Sequence, residues 1–505
     1  MTAVSHVCVH GHFYQPPREN PWLETVEPQE SAAPYRDWNT RITAECYAPN
    51  AASRILDSQR RIVEIVNNYS SISFNFGPTL LSWLEKYDPP VYDAILEADR
   101  IAQKNFSGHG SALAQAYNHM IMPLANRRDK ETQVLWGIKD FEHRFQRKPE
   151  GMWLPETAVD LETLEVLADN NIKFTLLAPS QALRVKDLDK ENWQDVSGGK
   201  IDPQIPYVCR LPSGKTIVLF FYNGPIAQEV AFGGLLNDGE TFANRLVDSF
   251  PKTDSPEGRL SHIATDGETY GHHHRFGDMA LAYALPYIQS RNLAKVTIYG
   301  EFLEKFPPTH QVEIIENTSW SCPHGVERWR ADCGCRLKEH AGATQEWRRP
   351  LRQAMDWLRD QLAILYEREA AQYFSDPWAA RQHYVEVILN RSEENFENFL
   401  TQFAHKKNFP VEKEKILKLL EIQRHAMLMY TSCGWFFDDI SGIETIQILE
   451  YAARSIQLTK ELKGLDLEKE FVNYLKSAQS NNPEFIDGAN IYERFVTPQV
   501  LQNSS

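Results

Sequence analysis

The sequence predicts an α/β chain, a barrel of parallel strands and helices followed by a C-terminal α-helical domain. Three observations point there. Short β-branched or aromatic runs alternate with amphipathic helical stretches as far as about residue 310. Two carboxylate motifs, Trp153-Leu154-Pro155-Glu156 and Asp266-Gly267-Glu268-Thr269-Tyr270-Gly271, stand where an apolar run gives way to a loop. That is where a barrel of parallel strands presents its chemistry. Beyond about residue 340 the apolar residues take on the three- and four-residue steps of helices.

Residues 4–9, 71–76, 151–154, 173–177, 216–222, 262–265 and 295–299 read as buried strands. A helix ends near Phe145, just before the first carboxylate motif. In the C-terminal part, Leu351, Met355, Leu358, Leu362 and Leu365 form one helical face, and Asp376-Pro377 reads as an N-cap with a first-turn proline. Further helices are expected over 411–430 and 442–462, with Gly434 marking a break before Trp435. The expected division is a catalytic barrel over residues 1–335 and a helical domain over 336–505.

At 505 residues the chain is too long for one simple core. Its composition, 42% hydrophobic and 24% charged, is that of an ordinary soluble protein, and no run approaches the roughly 18 apolar residues of a membrane span. A net charge of −15 disfavours nucleic acid and anionic membranes as partners and suits a neutral substrate such as a polysaccharide. Seven scattered cysteines do not resemble a secreted disulfide framework. With an N-terminus that lacks signal-peptide character, they point to the cytoplasm.

His6, Cys8, His10 and His12 alternate with Val7 and Val9, so a strand would send the polar residues to one face. His10 and His12 come last and would reach the barrel mouth, as sugar-binding groups or as satisfied interior histidines. Glu156 is a candidate catalytic carboxylate, with Trp153 offering a flat face to a pyranose ring. The alternative is a carboxylate at a helix N-terminus. Asp266 is the second candidate, although Asp-Gly also forms simple turns. Glu268 is a weaker one, and of His272-His273-His274 the first is expected to approach substrate.

Cys322, His324, Cys333 and Cys335 place four soft or borderline ligands within fourteen positions and could bind zinc, but their spacing is not the usual Cys-x-x-Cys form. Buried thiols and a His324 lining a sugar cleft are the alternative, and no metal or cofactor is assigned. Trp320 and Trp329 are candidate stacking platforms, with core packing the alternative.

The segments His10-Gly11-His12-Phe13-Tyr14-Gln15-Pro16, Gly151-Met152-Trp153-Leu154-Pro155-Glu156 and Asp266 to Gly271 together resemble those of glycoside hydrolase family 57 over about residues 1–330. Tyr117-Asn118-His119-Met120-Ile121-Met122-Pro123-Leu124 is a weaker match. The resemblance implies a distorted barrel of seven β/α units and a retaining mechanism on α-glucans, with Glu156 as nucleophile and Asp266 as acid/base. It also implies substrate contacts from His10, His12, His119 and Tyr270. Where many members carry Gly-x-x-Glu, this chain has Gly108-His109-Gly110-Ser111. The segment from Tyr430 to Asp439 is similar to that of an uncharacterised branch, and within it Trp435 would either stack on sugar or pack in an interior. Two other readings are a metal-dependent deacetylase or mannosidase, with His10, His12 and Asp266 as ligands, and a catalytically silent glucan-binding protein.

Overall fold

The computed structural model describes residues 5–251, 258–337, 342–405 and 412–503. The chain divides into two compact units that interleave along the sequence. The first comprises Met1–Gln15, Pro28–Gln115 and Arg144–Trp320, the second Pro16–Glu27, Ala116–His143 and Ser321–Ser505.

The first unit is built on parallel strands β1 (Ser5–Phe13), β2 (Ser73–Phe76), β3 (Ala114–Gln115), β4 (Met152–Trp153), β5 (Phe174–Leu177), β6 (Thr216–Phe221) and β7 (Arg259–Asp266). Ladders join β7 to β1, β1 to β2, β3 to β4 and β5 to β6. Isolated bridges, Phe74 with Ala112 and Gly151 with Phe174, carry the circuit across two of the gaps. The Asn223 N–H donates to the His262 carbonyl at 2.8 Å, linking the end of β6 to β7. Seven strands thus follow one another in chain order, but pairing is too intermittent for a continuous closed sheet, and the barrel is distorted.

From His6 onward every residue of β1 is buried. The His/Val alternation therefore separates two interior faces and not core from water, as in a parallel strand covered on both sides. The strand expected over 295–299 is shorter. Lys295–Val296 pairs with β1, and the chain then enters a helix at Tyr299, whose first turn is tied by the Thr297 hydroxyl donating to Glu301 at 2.7 Å. Strand β3 lacks any β-branched residue, so no propensity signals it.

The second unit is largely helical. Helix α1 (Arg348–Ala370) buries Leu351, Met355, Leu358, Leu362 and Leu365, the face that their spacing predicts. Asp376 caps the helix beginning at Pro377 by accepting the N–H groups of Trp378 and Ala379, each at 3.0 Å. Helices α2 (Lys413–Leu428) and α3 (Ile443–Lys463) occupy the other two expected segments. Val4 and Val411, with which two expected elements begin, lie outside the described residues. No helix among the described residues is long and apolar enough to cross a membrane.

Gly434 does not break the chain. It lies inside the short helix Cys433–Phe436, and a Cβ there would fall 2.3 Å from Cδ1 of Ile448, so its bareness lets this helix lie against α3. Trp435 takes the interior alternative. It is 1% exposed, its indole N–H donates to the Arg348 carbonyl at 3.3 Å, and Arg348 Nε donates back to the Trp435 carbonyl at 2.9 Å. Trp435→Ala is therefore expected to cost about 3–5 kcal/mol of stability. Thermal denaturation alongside turnover on short and long substrates checks this. A loss confined to long substrates, with melting unchanged, would restore a stacking role.

Candidate active site

Parallel register makes His12 of β1 and Asp266 of β7 direct partners at the C-terminal ends of adjacent strands. Glycine is required immediately after Asp266, because a Cβ on Gly267 would fall 2.2 Å from the Phe13 ring over which the chain turns. The Asp266 carboxyl is solvent-accessible but crowded by protein. Desolvation, then the charge of Glu156, pushes it up to about 7. Glu268, buried two residues on, is pushed up to about 8 by burial and by Asp266, against the opposing hydrogen bonds it accepts. Those come to Oε1 from the Tyr47 hydroxyl at 2.5 Å and the Tyr14 N–H at 3.0 Å. Glu268 thus ties the loop after β1 to the loop after β7.

Glu156 follows β4 in a strained turn. Its φ of 58° and that of Thr157, 49°, are both left-handed, a conformation costing a non-glycine residue about 1–3 kcal/mol. Neighbours hold the turn. Gln181 Nε2 donates to the Thr157 carbonyl at 2.8 Å, and the Thr157 hydroxyl donates to Gln181 Oε1 at 2.9 Å. Trp320 grips Glu156 twice, through its backbone N–H to the Glu156 carbonyl and its indole N–H to Oε2, each at 3.0 Å. The helix-N-terminus alternative fails, since the next α-helix starts at Leu161 and is capped by Asp160. Trp320→Phe keeps the ring and removes the indole donor. We expect kcat to fall about tenfold, ~1.4 kcal/mol, the scale of a hydrogen bond to a charged group. Steady-state kinetics would reveal an unchanged kcat if the donor were idle.

Behind the carboxylates lies a neutral polar network. His10 is driven down to about 3, by burial first and by neighbouring His12 second. Its Nδ1 contacts the Ser73 hydroxyl and its Nε2 the Asn75 Oδ1, each at 3.1 Å. Asn75 Nδ2 donates to His12 Nδ1 at 2.9 Å and to Gln115 Oε1 at 2.8 Å. Because Asn75 Oδ1 can only accept, His10 carries its proton on Nε2. His12 accepts at Nδ1 and carries its proton on Nε2 when neutral.

Of the residues singled out from sequence, Glu156, Asp266, His12 and Trp320 share one locality. Others are corrected. Trp153 offers no face to a sugar, being 0% exposed, with its ring stacked on His10 and His12 at centroid distances of 5.0 and 4.8 Å. His10 is 0% exposed, with both nitrogens engaged by Ser73 and Asn75, the residue that also donates to His12. Tyr270 turns its ring inward, where its hydroxyl accepts from Thr265 at 3.3 Å. His272 remains partly exposed and pairs with Glu45. His119, His324, Trp329 and Trp435 belong to the second unit. There His119 is buried on Ser432 at 2.6 Å and Trp329 is fully buried, while His324 lies beside Cys335. Ser111, where an acid is common in the resemblance, is buried with its carbonyl accepting the Phe74 N–H at 3.0 Å.

Sequence reasoning missed Asn75, Gln115, Gln181 and Tyr222. Tyr222 follows β6, its ring 6.3 Å from that of Trp320, and burial and the Asp266 charge drive its hydroxyl pKa upward. Only its place at a strand end could have flagged it.

The model of glycosyl hydrolase family 57 matches residues 9–315, more than half of the chain. The chain belongs to that family. The three motifs that carry the resemblance lie at or just after the C-terminal ends of β1, β4 and β7. Residues 344–505 match a domain of unknown function, DUF3536. The fold is similar to that of an exo-type maltose-forming amylase from Pyrococcus sp. ST04, at TM-score 0.70 and 15% identity over 99% of this chain and 93% of that one. It is similar too to a family 57-type branching enzyme from Pyrococcus horikoshii, at TM-score 0.58 and 17% identity over 99% and 97%. A 4-alpha-glucanotransferase from Thermococcus litoralis matches at TM-score 0.54 and 14% identity over 90% of this chain and 60% of that one. No curated protein matches it in sequence.

Proposed function

We propose that this family 57 member is a retaining glycosidase or glucanotransferase acting on α-glucans, with Glu156 as nucleophile and Asp266 as acid/base. One observation carries the reading. Two carboxylates stand at strand ends of one barrel, and the charge of one helps hold the other protonated to about pH 7. The names of the structurally similar enzymes supply the substrate class.

Glu156 attacks the anomeric carbon as the glycosidic C–O bond breaks, while Asp266 gives its proton to the departing oxygen. Asp266 then takes a proton from water or an acceptor sugar hydroxyl, whose oxygen attacks the same carbon and frees Glu156. Retention calls for carboxylates about 5–5.5 Å apart. The indole N–H of Trp320 orients the attacking carboxylate, and its partly exposed ring is the aromatic face left for a pyranose.

A barrel metalloenzyme built on His10, His12 and Asp266 is disfavoured by the donors themselves. Both His10 nitrogens and His12 Nδ1 are engaged in the Ser73–Asn75 network. Chelator treatment leaving turnover intact would agree. The odd number and scatter of the seven cysteines suit a cytoplasmic enzyme, and the net charge of −15 suits a neutral polymer over nucleic acid.

Incubation with maltooligosaccharides, amylose and glycogen, followed by analysis of product lengths and branch points, tests the proposal. Shorter products mark hydrolysis, redistributed lengths transfer, and new branch points branching. Unchanged substrates, with binding retained, would make the protein a silent glucan binder.

A further inference from the structure

We infer that Cys322, His324, Cys333 and Cys335 form a structural zinc site in the second unit, independent of the glycosidase reading. Their ligand atoms all lie within 4.8 Å of one another. A tetrahedral zinc with Zn–S of about 2.3 Å and Zn–N of about 2.0–2.1 Å separates its sulfurs by about 3.8 Å and sulfur from nitrogen by about 3.6 Å. Here Cys322 Sγ is 3.9 Å from Cys333 Sγ and 3.8 Å from Cys335 Sγ, and Cys335 Sγ is 3.6 Å from His324 Nδ1. Those are edges of that tetrahedron. A disulfide would require about 2.05 Å, far shorter than these separations, which instead fit ligands placed around one ion.

The loop is shaped for this. The ligands come as two one-spaced pairs, Cys322-Pro323-His324 and Cys333-Gly334-Cys335. Gly334 has a φ of 75°, a left-handed value that lets the two flanking cysteines turn to one side. Three thiolates and a neutral imidazole around a divalent ion leave one net negative charge. Arg348 stands against it, Nη1 donating to Cys333 Sγ at 3.7 Å and Nη2 to the Cys335 carbonyl at 3.0 Å. The same guanidinium holds the Trp435 carbonyl through Nε at 2.9 Å. The site would therefore fasten residues 322–335 to the start of α1 and to the Trp435 segment. Four protein ligands leave no open position for water or substrate, so the ion's part is to hold structure.

The test uses the full chain, purified reduced from zinc-supplemented medium. We expect stoichiometric zinc by elemental analysis. Exchange with cobalt should give the intense visible bands of tetrahedral coordination and a near-ultraviolet thiolate-to-cobalt band. Stripping with a chelator should lower the melting temperature by several degrees, and zinc should restore it. Cys333→Ser should lose the metal, whereas His10→Ala should keep it. Reduced wild-type protein that takes up neither zinc nor cobalt would overturn the assignment, as would a thiol titration showing a Cys322–Cys333 disulfide or metal lost in His10→Ala but kept in Cys333→Ser. Should Cys333→Ser fail to fold, the cobalt spectrum of the wild-type chain decides.

Discussion

Glu156→Gln is expected to lower turnover at least a thousandfold, about 4 kcal/mol of barrier, while leaving melting nearly unchanged. The amide keeps the shape of the carboxyl and can accept the Trp320 indole N–H through its oxygen, so the geometry that stabilises the strained turn survives. What it cannot do is attack the anomeric carbon and depart again. Turnover of a maltooligosaccharide and thermal denaturation should be measured on the same preparation. Activity within about tenfold of wild type, ~1.4 kcal/mol, would remove Glu156 from the nucleophile role. A collapse of melting temperature would instead show that its charge holds the turn.

The fold and the strand-end placement of the two carboxylates were legible because they rest on local signals. A run of apolar residues ending in Trp-Leu-Pro-Glu or Thr-Asp-Gly reads as a strand end whatever surrounds it, and Leu351 to Leu365 repeat with the helical period. The supports of the site were not legible. Asn75 lies on β2 and Gln181 in the turn before Ala182, far along the chain from the residues they hold, and each is an unremarkable polar residue in its local context. Aromatic residues misled for the opposite reason. Trp153, Tyr270, Trp329 and Trp435 carry the chemistry of sugar platforms, but a large ring buries most favourably in a core, and only contact geometry separates them from Trp320. The four zinc-site candidates escaped a familiar spacing because their convergence depends on the turn at Gly334.

Asp266→Asn should separate proton donation from the remaining chemistry. Hydrolysis or transfer with a natural glucan is expected to fall by about 10²–10⁴-fold, the usual worth of a positioned acid/base. With an activated aryl glycoside, whose leaving group departs as an anion, the first step needs no proton, and release of the aryl group should be far less affected. The pH profile gives a second readout. A carboxyl held up to about 7 remains protonated below that pH and loses its proton above it, so wild-type kcat/KM on a natural glucan should decline as pH rises through about 7. That alkaline decline should vanish in Asp266→Asn, because no acid remains to be lost. If the variant kept it, the titrating group would be another one. Glu268, pushed up to about 8 and linked to the same two loops, would then be the next to replace.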